Sequence, residues 1–290
     1  MPVAGERLEF CSNQDRFCDY CLWDYQPLTS VDQKFRSVNL LYHSFAYAGL
    51  DDRVYALCDA IREGIGAFQT VWGIKQAGGR LSWEFYFYDY GRLERKVSIT
   101  RLLQIIKPFI PCTLIYSENR PYFMFSIEID HRHINHRQRL DEIDIYIGNV
   151  GSSVSSGICY ALTGTGLRLD NFYFFFDAKT ERENIVGKIA CSAHLDLPGF
   201  RLRSVLIPEL VDCKTIVVAN KKHNEGIYFS RINVRQLLFF MNLVGYPEDL
   251  ISFVDAHQSS LDHLLYDVGF DYVEQDGKIE ILKSSYYGIF

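Results

Sequence analysis

Alternate residues of Leu81–Tyr90 fall into two sets, Trp83, Phe85 and Phe87 on one side and Ser82, Glu84, Tyr86, Tyr88 and Tyr90 on the other, because successive side chains of a strand point to opposite faces. The split recurs. Tyr122–Asp130 sets Phe123, Phe125, Ile127 and Ile129 against Tyr122, Met124, Ser126, Glu128 and Asp130. Glu142–Gly148 sets Ile143, Ile145 and Ile147 against Glu142, Asp144, Tyr146 and Gly148, and Asn171–Asp177 sets Phe172, Phe174 and Phe176 against Asn171, Tyr173, Phe175 and Asp177. The solvent face of an antiparallel sheet normally carries Lys, Glu, Thr and Arg, whereas these faces repeat tyrosine with very little lysine. If helices cover the apolar faces, closure of the strands would place the tyrosines around a lumen. Such a lumen suits a ligand with an apolar, π-rich or cationic part and a few polar anchors.

Other spacings carry less. Cys11, Cys18 and Cys21 form C-x6-C-x2-C, which lacks the second pair of a zinc framework. His131 and His133 would share a face in an extended segment and could approach a metal; with His136, Arg132, Arg137 and Arg139 nearby, the stretch reads as a solvated connection. Gly148-Asn149-Val150-Gly151-Ser152-Ser153 lacks the lysine and the strand–helix context of a phosphate loop, so a flexible turn is expected. Lys221-Lys222-His223 reads as a basic hairpin tip rather than a nucleic-acid site.

The elements that must position these residues follow from periodicity. Helical spacing over 29–66 predicts two helices, followed by strands at 69–76 and 81–90 around Ala77-Gly78-Gly79-Arg80. A helix over 97–109 leads to strands at 112–117 and 121–130. A polar segment, 131–141, precedes strands at 142–148, 157–163 and 170–177. A helix at 179–192 precedes strands at 214–220 and 225–231; helical stretches at 233–244 and 248–266 precede strands at 268–273 and 279–287. The expected fold class is α+β: an antiparallel closed β-barrel of about ten strands, in five hairpins, surrounded by α-helices with a ligand lumen inside. One domain, 29–290, would follow an N-terminal extension, 1–28, that covers one end of it.

Composition bounds the function. The 290 residues carry 30 Lys+Arg against 36 Asp+Glu, a net charge of −6, so there is no general pull toward nucleic acid or an anionic membrane. Neither the opening residues nor any apolar run reads as a secretory signal or a membrane helix. Eight cysteines, unevenly spaced and mostly within apolar runs, read as reduced core residues. A cytoplasmic monomer is expected.

A barrel of five strand pairs with outer helices and a tyrosine lumen, ending in Gly269-Phe270-Asp271-Tyr272 through Lys283-Ser284-Ser285-Tyr286-Tyr287-Gly288, resembles the ABBA-type aromatic and peptide prenyltransferases. The resemblance covers most of 29–290. It implies transfer of an allylic group from a prenyl diphosphate to an aromatic, amino-acid or peptide acceptor in natural-product biosynthesis, with inward Lys and Arg on the diphosphate and tyrosines shielding the allylic cation. It implies no aspartate-rich magnesium motif and no tightly bound cofactor, with Mg²⁺ as an optional companion of the donor.

That chemistry needs fixed positive charge at the leaving diphosphate, aromatic faces around the carbocation and a carboxylate on the acceptor. Lys75, sharing a face with Val71 and Gly73, is the first diphosphate candidate, followed by Arg203, Lys221 and Lys283. Glu84, mid-strand between aromatic residues, is the expected acceptor-binding carboxylate. Tyr86, Tyr88, Tyr122, Tyr146, Tyr173, Tyr228 and Tyr286 are the expected lumen tyrosines. Glu128, Asp130, Asp144 and Asp177 on the same faces would repel a diphosphate unless they lie at the other rim, hold Mg²⁺ or bind a cationic acceptor. Two other function classes stay open: a non-catalytic barrel binding a small ligand or peptide, and a metal-dependent biosynthetic enzyme.

Overall fold

The computed structural model describes residues 7–91, 94–149, 152–196 and 199–290. Two helices, α1 (Val38–Tyr47) and α2 (Arg53–Ile65), lead into the hairpin β1 (Thr70–Ala77) and β2 (Arg80–Tyr88). After α3 (Ile99–Ile106) come β3 (Tyr122–Ile129), the one-turn α4 (His131–Asn135), β4 (Glu142–Gly148) and the hairpin β5 (Ser156–Thr163) and β6 (Gly166–Asp177). Helix α5 (Arg182–Ile189) and a 3-10 turn (Leu202–Ser204) precede the hairpin β7 (Thr215–Lys221) and β8 (Glu225–Ile232). Helices α6 (Val234–Leu243), α7 (Glu248–Ala256) and α8 (Gln258–Leu261) precede β9 (Tyr266–Gln275) and β10 (Lys278–Ile289).

All ten strands pair antiparallel with their chain neighbours, and β10 returns to β1 through Val71↔Ile289 to Gln76↔Ser284, closing the barrel. Closure removes every free sheet edge. The hairpin tips and α4 lie at one end, here the lower; the connections carrying the other helices leave from the upper end. The outward apolar faces, including Trp83, Phe85, Phe87, Phe125 and Ile145, are fully buried beneath the helices in one continuous core. Trp83 Nε1 donates to Ser44 Oγ of α1 at 2.8 Å, which fixes that helix against β2.

The expected strand at 112–117 is absent. Pro108 and Pro111 end the helical turn, and only Cys112 makes a bridge, to Leu140. Cys112, Leu114 and Tyr116 pack against the core while Ile115 between them is 93% exposed, so the segment keeps a two-residue alternation without a partner strand. The polar stretch after β3 is likewise more ordered than expected, because Asp130 caps α4 by accepting from the backbone N–H groups of Arg132 and His133. Among the described residues, no helix is long and apolar enough to cross a membrane.

The N-terminal segment packs over the upper mouth. Asp19 accepts from the backbone of Cys21 and Trp23 and from Arg231 Nε at 2.8 Å, while Arg231 Nη2 reaches the carbonyls of Trp23 and Asp24. Asp267 accepts from Tyr20 N at 2.9 Å and from Arg231 N at 3.1 Å. These bonds hold Tyr20 and Cys21 across the opening.

Candidate functional site

Five tyrosines form a belt inside the barrel. In spatial order they are Tyr287, Tyr86, Tyr146, Tyr173 and Tyr228, with successive ring centroids 5.8, 6.4, 5.9 and 6.2 Å apart. They come from β10, β2, β4, β6 and β8, so each alternate strand supplies one ring, the layered filling expected of a closed barrel. Two glycines make room for this packing. A Cβ on Gly73 would stand 2.7 Å from the Tyr287 ring and one on Gly269 2.1 Å from the Tyr228 ring, and each glycine is the cross-strand partner of the ring that covers it. Burial holds all five phenols well above the ordinary tyrosine value, so they stay protonated. With Tyr88, Phe123, Met124 and Phe175 they enclose an upper chamber of about 60 Å3, roofed by Tyr20 and Cys21.

Beneath the belt lies a layer of charge. Lys75 is buried and pairs with both Glu84 and Glu128, the latter at 2.7 Å. Burial opposes the Lys75 charge, but the two carboxylates outweigh it and hold the ammonium well above the ordinary lysine value. Glu128 is correspondingly driven down to about 2 by Lys75 against its own desolvation. Glu84 also accepts from Ser126 Oγ at 2.5 Å and Tyr86 Oη at 2.6 Å. On β9, two strands from β1, Asp271 accepts twice from Lys221 Nζ, at 2.7 and 2.8 Å, and lies 3.4 Å from Lys283 Nζ. Despite its burial, these lysines lower Asp271 to about 2. The neighbouring charge of Lys75, together with burial, pulls Lys283 below the ordinary lysine range.

Sequence expectations and structure meet unevenly. Lys75, Lys221, Lys283, Glu84, Tyr86, Tyr88, Tyr146, Tyr173 and Tyr228 all converge on the lumen, and Lys221 is an interior residue rather than part of a hairpin tip. Arg203 does not join them: it is exposed on the 3-10 turn between α5 and β7. Tyr122 faces outward because the β3–β4 register shifts between Tyr122 and Met124, which brings Phe123 into the upper chamber. Its hydroxyl donates to Glu118 at 2.6 Å, and Arg95 stacks over its ring. Tyr286 is also outside, packed edge-on against Trp72 and Tyr246. Asp130 caps α4 at the lower rim, and Asp177 holds the turn into α5 at the upper end and pairs with Lys214, so neither belongs to the charged layer.

Ser126, Asp271, Ser285 and Tyr287 belong to the site without having been singled out. Two-residue alternation from the inward Lys283 leads to Ser285 and Tyr287, and from Gly269 to Asp271, so this signal was present in the chain. Lys75 and Glu84 were easier to assign, since each lies in a strand with an unambiguous apolar face.

The remaining constellations resolve into local structure. Cys11 Sγ lies 3.2 Å from His263 Nε2, and Cys18 Sγ donates to Asp24. His133 belongs to the α4 capping box, and His131 contacts Asn135. Val150 and Gly151 of the expected glycine-rich turn lie outside the described residues. Among the described residues no group of three or more His, Cys, Asp and Glu is placed to hold a metal ion. No protein-family model and no curated protein matches the chain.

Proposed function

We propose that the barrel is a prenyltransferase, and the observation that carries this reading is the five-ring tyrosine belt directly above three lysines. Polarised aromatic faces stabilise an allylic cation without offering it a nucleophile, because their phenols stay protonated. Fixed ammonium groups stabilise the departing diphosphate. In the step proposed, the bond between the allylic carbon and the diphosphate oxygen breaks with its electron pair leaving on the diphosphate. An electron pair of the acceptor forms the new bond to that carbon, and the acceptor's proton passes to a carboxylate of the charged layer. Mg²⁺ arriving with the donor would screen its diphosphate from Glu84, Glu128 and Asp271. The eight free cysteines support a reducing compartment, the cytoplasm in this reading.

A second reading, a non-catalytic ligand-binding barrel, is favoured by two other observations. Lys75 and Lys221 are already neutralised by carboxylates, and the upper chamber of about 60 Å3 is small beside the roughly 300–1,000 Å3 of sites that enclose drug-sized ligands. A prenyl chain therefore fits this chamber only if its lining shifts.

Calorimetric titration with dimethylallyl, geranyl and farnesyl thiodiphosphates, with and without Mg²⁺, separates the two. Prenyl transfer predicts saturable binding of one chain length, weakened at least fivefold by Lys283→Ala. Lys283 is the informative position because it is the most exposed lysine of the layer and the least tightly paired. Failure of all three analogues to bind the folded protein would leave the ligand-binding barrel as the better account.

A further inference from the structure

A second cavity opens below the charged layer. It measures about 290 Å3 and lies between residues of β2, β3 and β4 and the 130–141 connection that carries α4 at the lower end. Its wall carries five carboxylates, Glu128, Asp130, Asp141, Glu142 and Asp144, against two guanidinium groups, Arg132 and Arg139. Both arginines are engaged at the rim, Arg132 with Asp130 at 2.7 Å and Arg139 with Asp141 at 2.9 Å. Glu128 is held by Lys75 and by Ser82 Oγ at 2.7 Å, and Glu142 lies 3.5 Å from Arg168.

Asp144 differs from the rest. Its Oδ1 is shut off from solvent and has no hydrogen-bond partner, although the residue lines the cavity and keeps part of its surface exposed there. An orphaned carboxylate oxygen is costly, and proteins normally satisfy such groups with a donor or a cation. The titratable groups that act on it are Glu84 of β2, Lys75 of β1, Cys159 of β5, Asp170 and Tyr173 of β6, and Glu142 and Tyr146 of its own strand; burial and the surrounding carboxylates raise it to about 7 against the pull of Lys75. A cation seated in the cavity, against the part of Asp144 that stays exposed there, would offset this uncompensated charge.

We infer that the lower cavity binds an organic cation, a guanidinium or ammonium group, with Asp144 as its principal anchor. Ser126, which lines this cavity, donates to Glu84, and Glu84 accepts from Tyr86 of the belt. Two hydrogen bonds thus separate the cation site from the aromatic chamber. On the prenyl-transfer reading, the acceptor is an amine or guanidine rather than a neutral arene. The cation site itself does not depend on that reading.

The test is calorimetry on the full chain with Nα-acetyl-arginine amide, Nα-acetyl-lysine amide and, as the neutral isostere of the first, Nα-acetyl-citrulline amide, with no donor present. One-site binding of a cationic ligand at pH 8, at least tenfold weaker for citrulline, is expected. Asp144→Asn should lower that affinity at least tenfold. In the wild type, affinity should fall as Asp144 protonates between pH 8 and 6, a measurement that requires no variant to fold. Equal binding of arginine and citrulline derivatives, no binding of either cation, or an unchanged affinity in a folded Asp144→Asn protein would overturn the inference. Cation binding without thiodiphosphate binding removes prenyl transfer and leaves the site standing, whereas the converse removes only the site.

Discussion

Glu84 and Glu128 stand directly opposite each other across β2 and β3, with Lys75 of β1 paired to both. Facing like charges destabilise a sheet, so this register is tolerable only with the ammonium present. Lys75→Met should therefore cost about 3 kcal/mol in urea unfolding, because it strands a buried carboxylate. Adding Glu84→Gln should restore part of the loss. A double variant no more stable than Lys75→Met would show that the triad does not act as a unit.

The lumen carboxylates predict an unusual acid profile. Glu128 and Asp271 are lowered to about 2; their stabilisation is present above the unfolded carboxylate values and is lost as pH falls through 2. Asp144 and Asp267 are raised to about 7, the first mainly by burial and the second by burial with Asp19 beside it. Between the unfolded value near 4 and the folded value near 7 the native state binds more protons at these two groups, so stability falls as pH rises through that window. Thermal melting should peak at about pH 5. A peak at or above pH 7 would contradict the ionisation of the lumen described here.

Gly269→Ala should push the Tyr228 ring aside, since the added methyl would stand 2.1 Å from it. Overpacking of this kind costs about 1–3 kcal/mol, and the displaced phenol would also leave its contacts with Lys221 and Asp271. Gly164→Ala, with nothing within 4 Å of the new methyl, provides the control and should shift stability by less than about 0.5 kcal/mol. Equal melting of the two variants would mean that the belt yields freely.

Arg231→Ala should loosen the roof. The arginine ties Asp19, Trp23 and Asp24 to β8, and its removal leaves the buried Asp19 beside Asp267. Amide exchange across residues 17–25 should accelerate at least tenfold while β1 and β2 stay protected. Uniform acceleration would instead indicate global destabilisation.

Much of this architecture was legible because the signal was redundant. In β2, three aromatic residues on one face and Glu84, Tyr86 and Tyr88 on the other leave a single sensible orientation, and Lys75 on β1 follows from the neighbouring hairpin. Tyr122 was misread because a bulge shifts parity by one residue, which alternation cannot detect. Tyr286 was misread although Lys283 on the same strand already favoured Tyr287. Arg203 lies in a segment without periodicity, where a charge says nothing about direction, and 112–117 alternates as a strand would but finds no partner to pair with. The lone oxygen of Asp144 depends on three-dimensional surroundings, and no spacing in the chain announces it.

On the side of β1 away from β2, Val71 pairs with Ile289. During synthesis the edge of β1, with Val71, Trp72 and Ile74, therefore waits for the whole remainder of the barrel before its far side is paired. A seam of such long sequence separation makes closure slow and exposes a sticky strand in every partly made chain. Ribosome-bound or truncated forms lacking β10 are thus natural clients for chaperones, and the final strand sets the moment at which the lumen first exists.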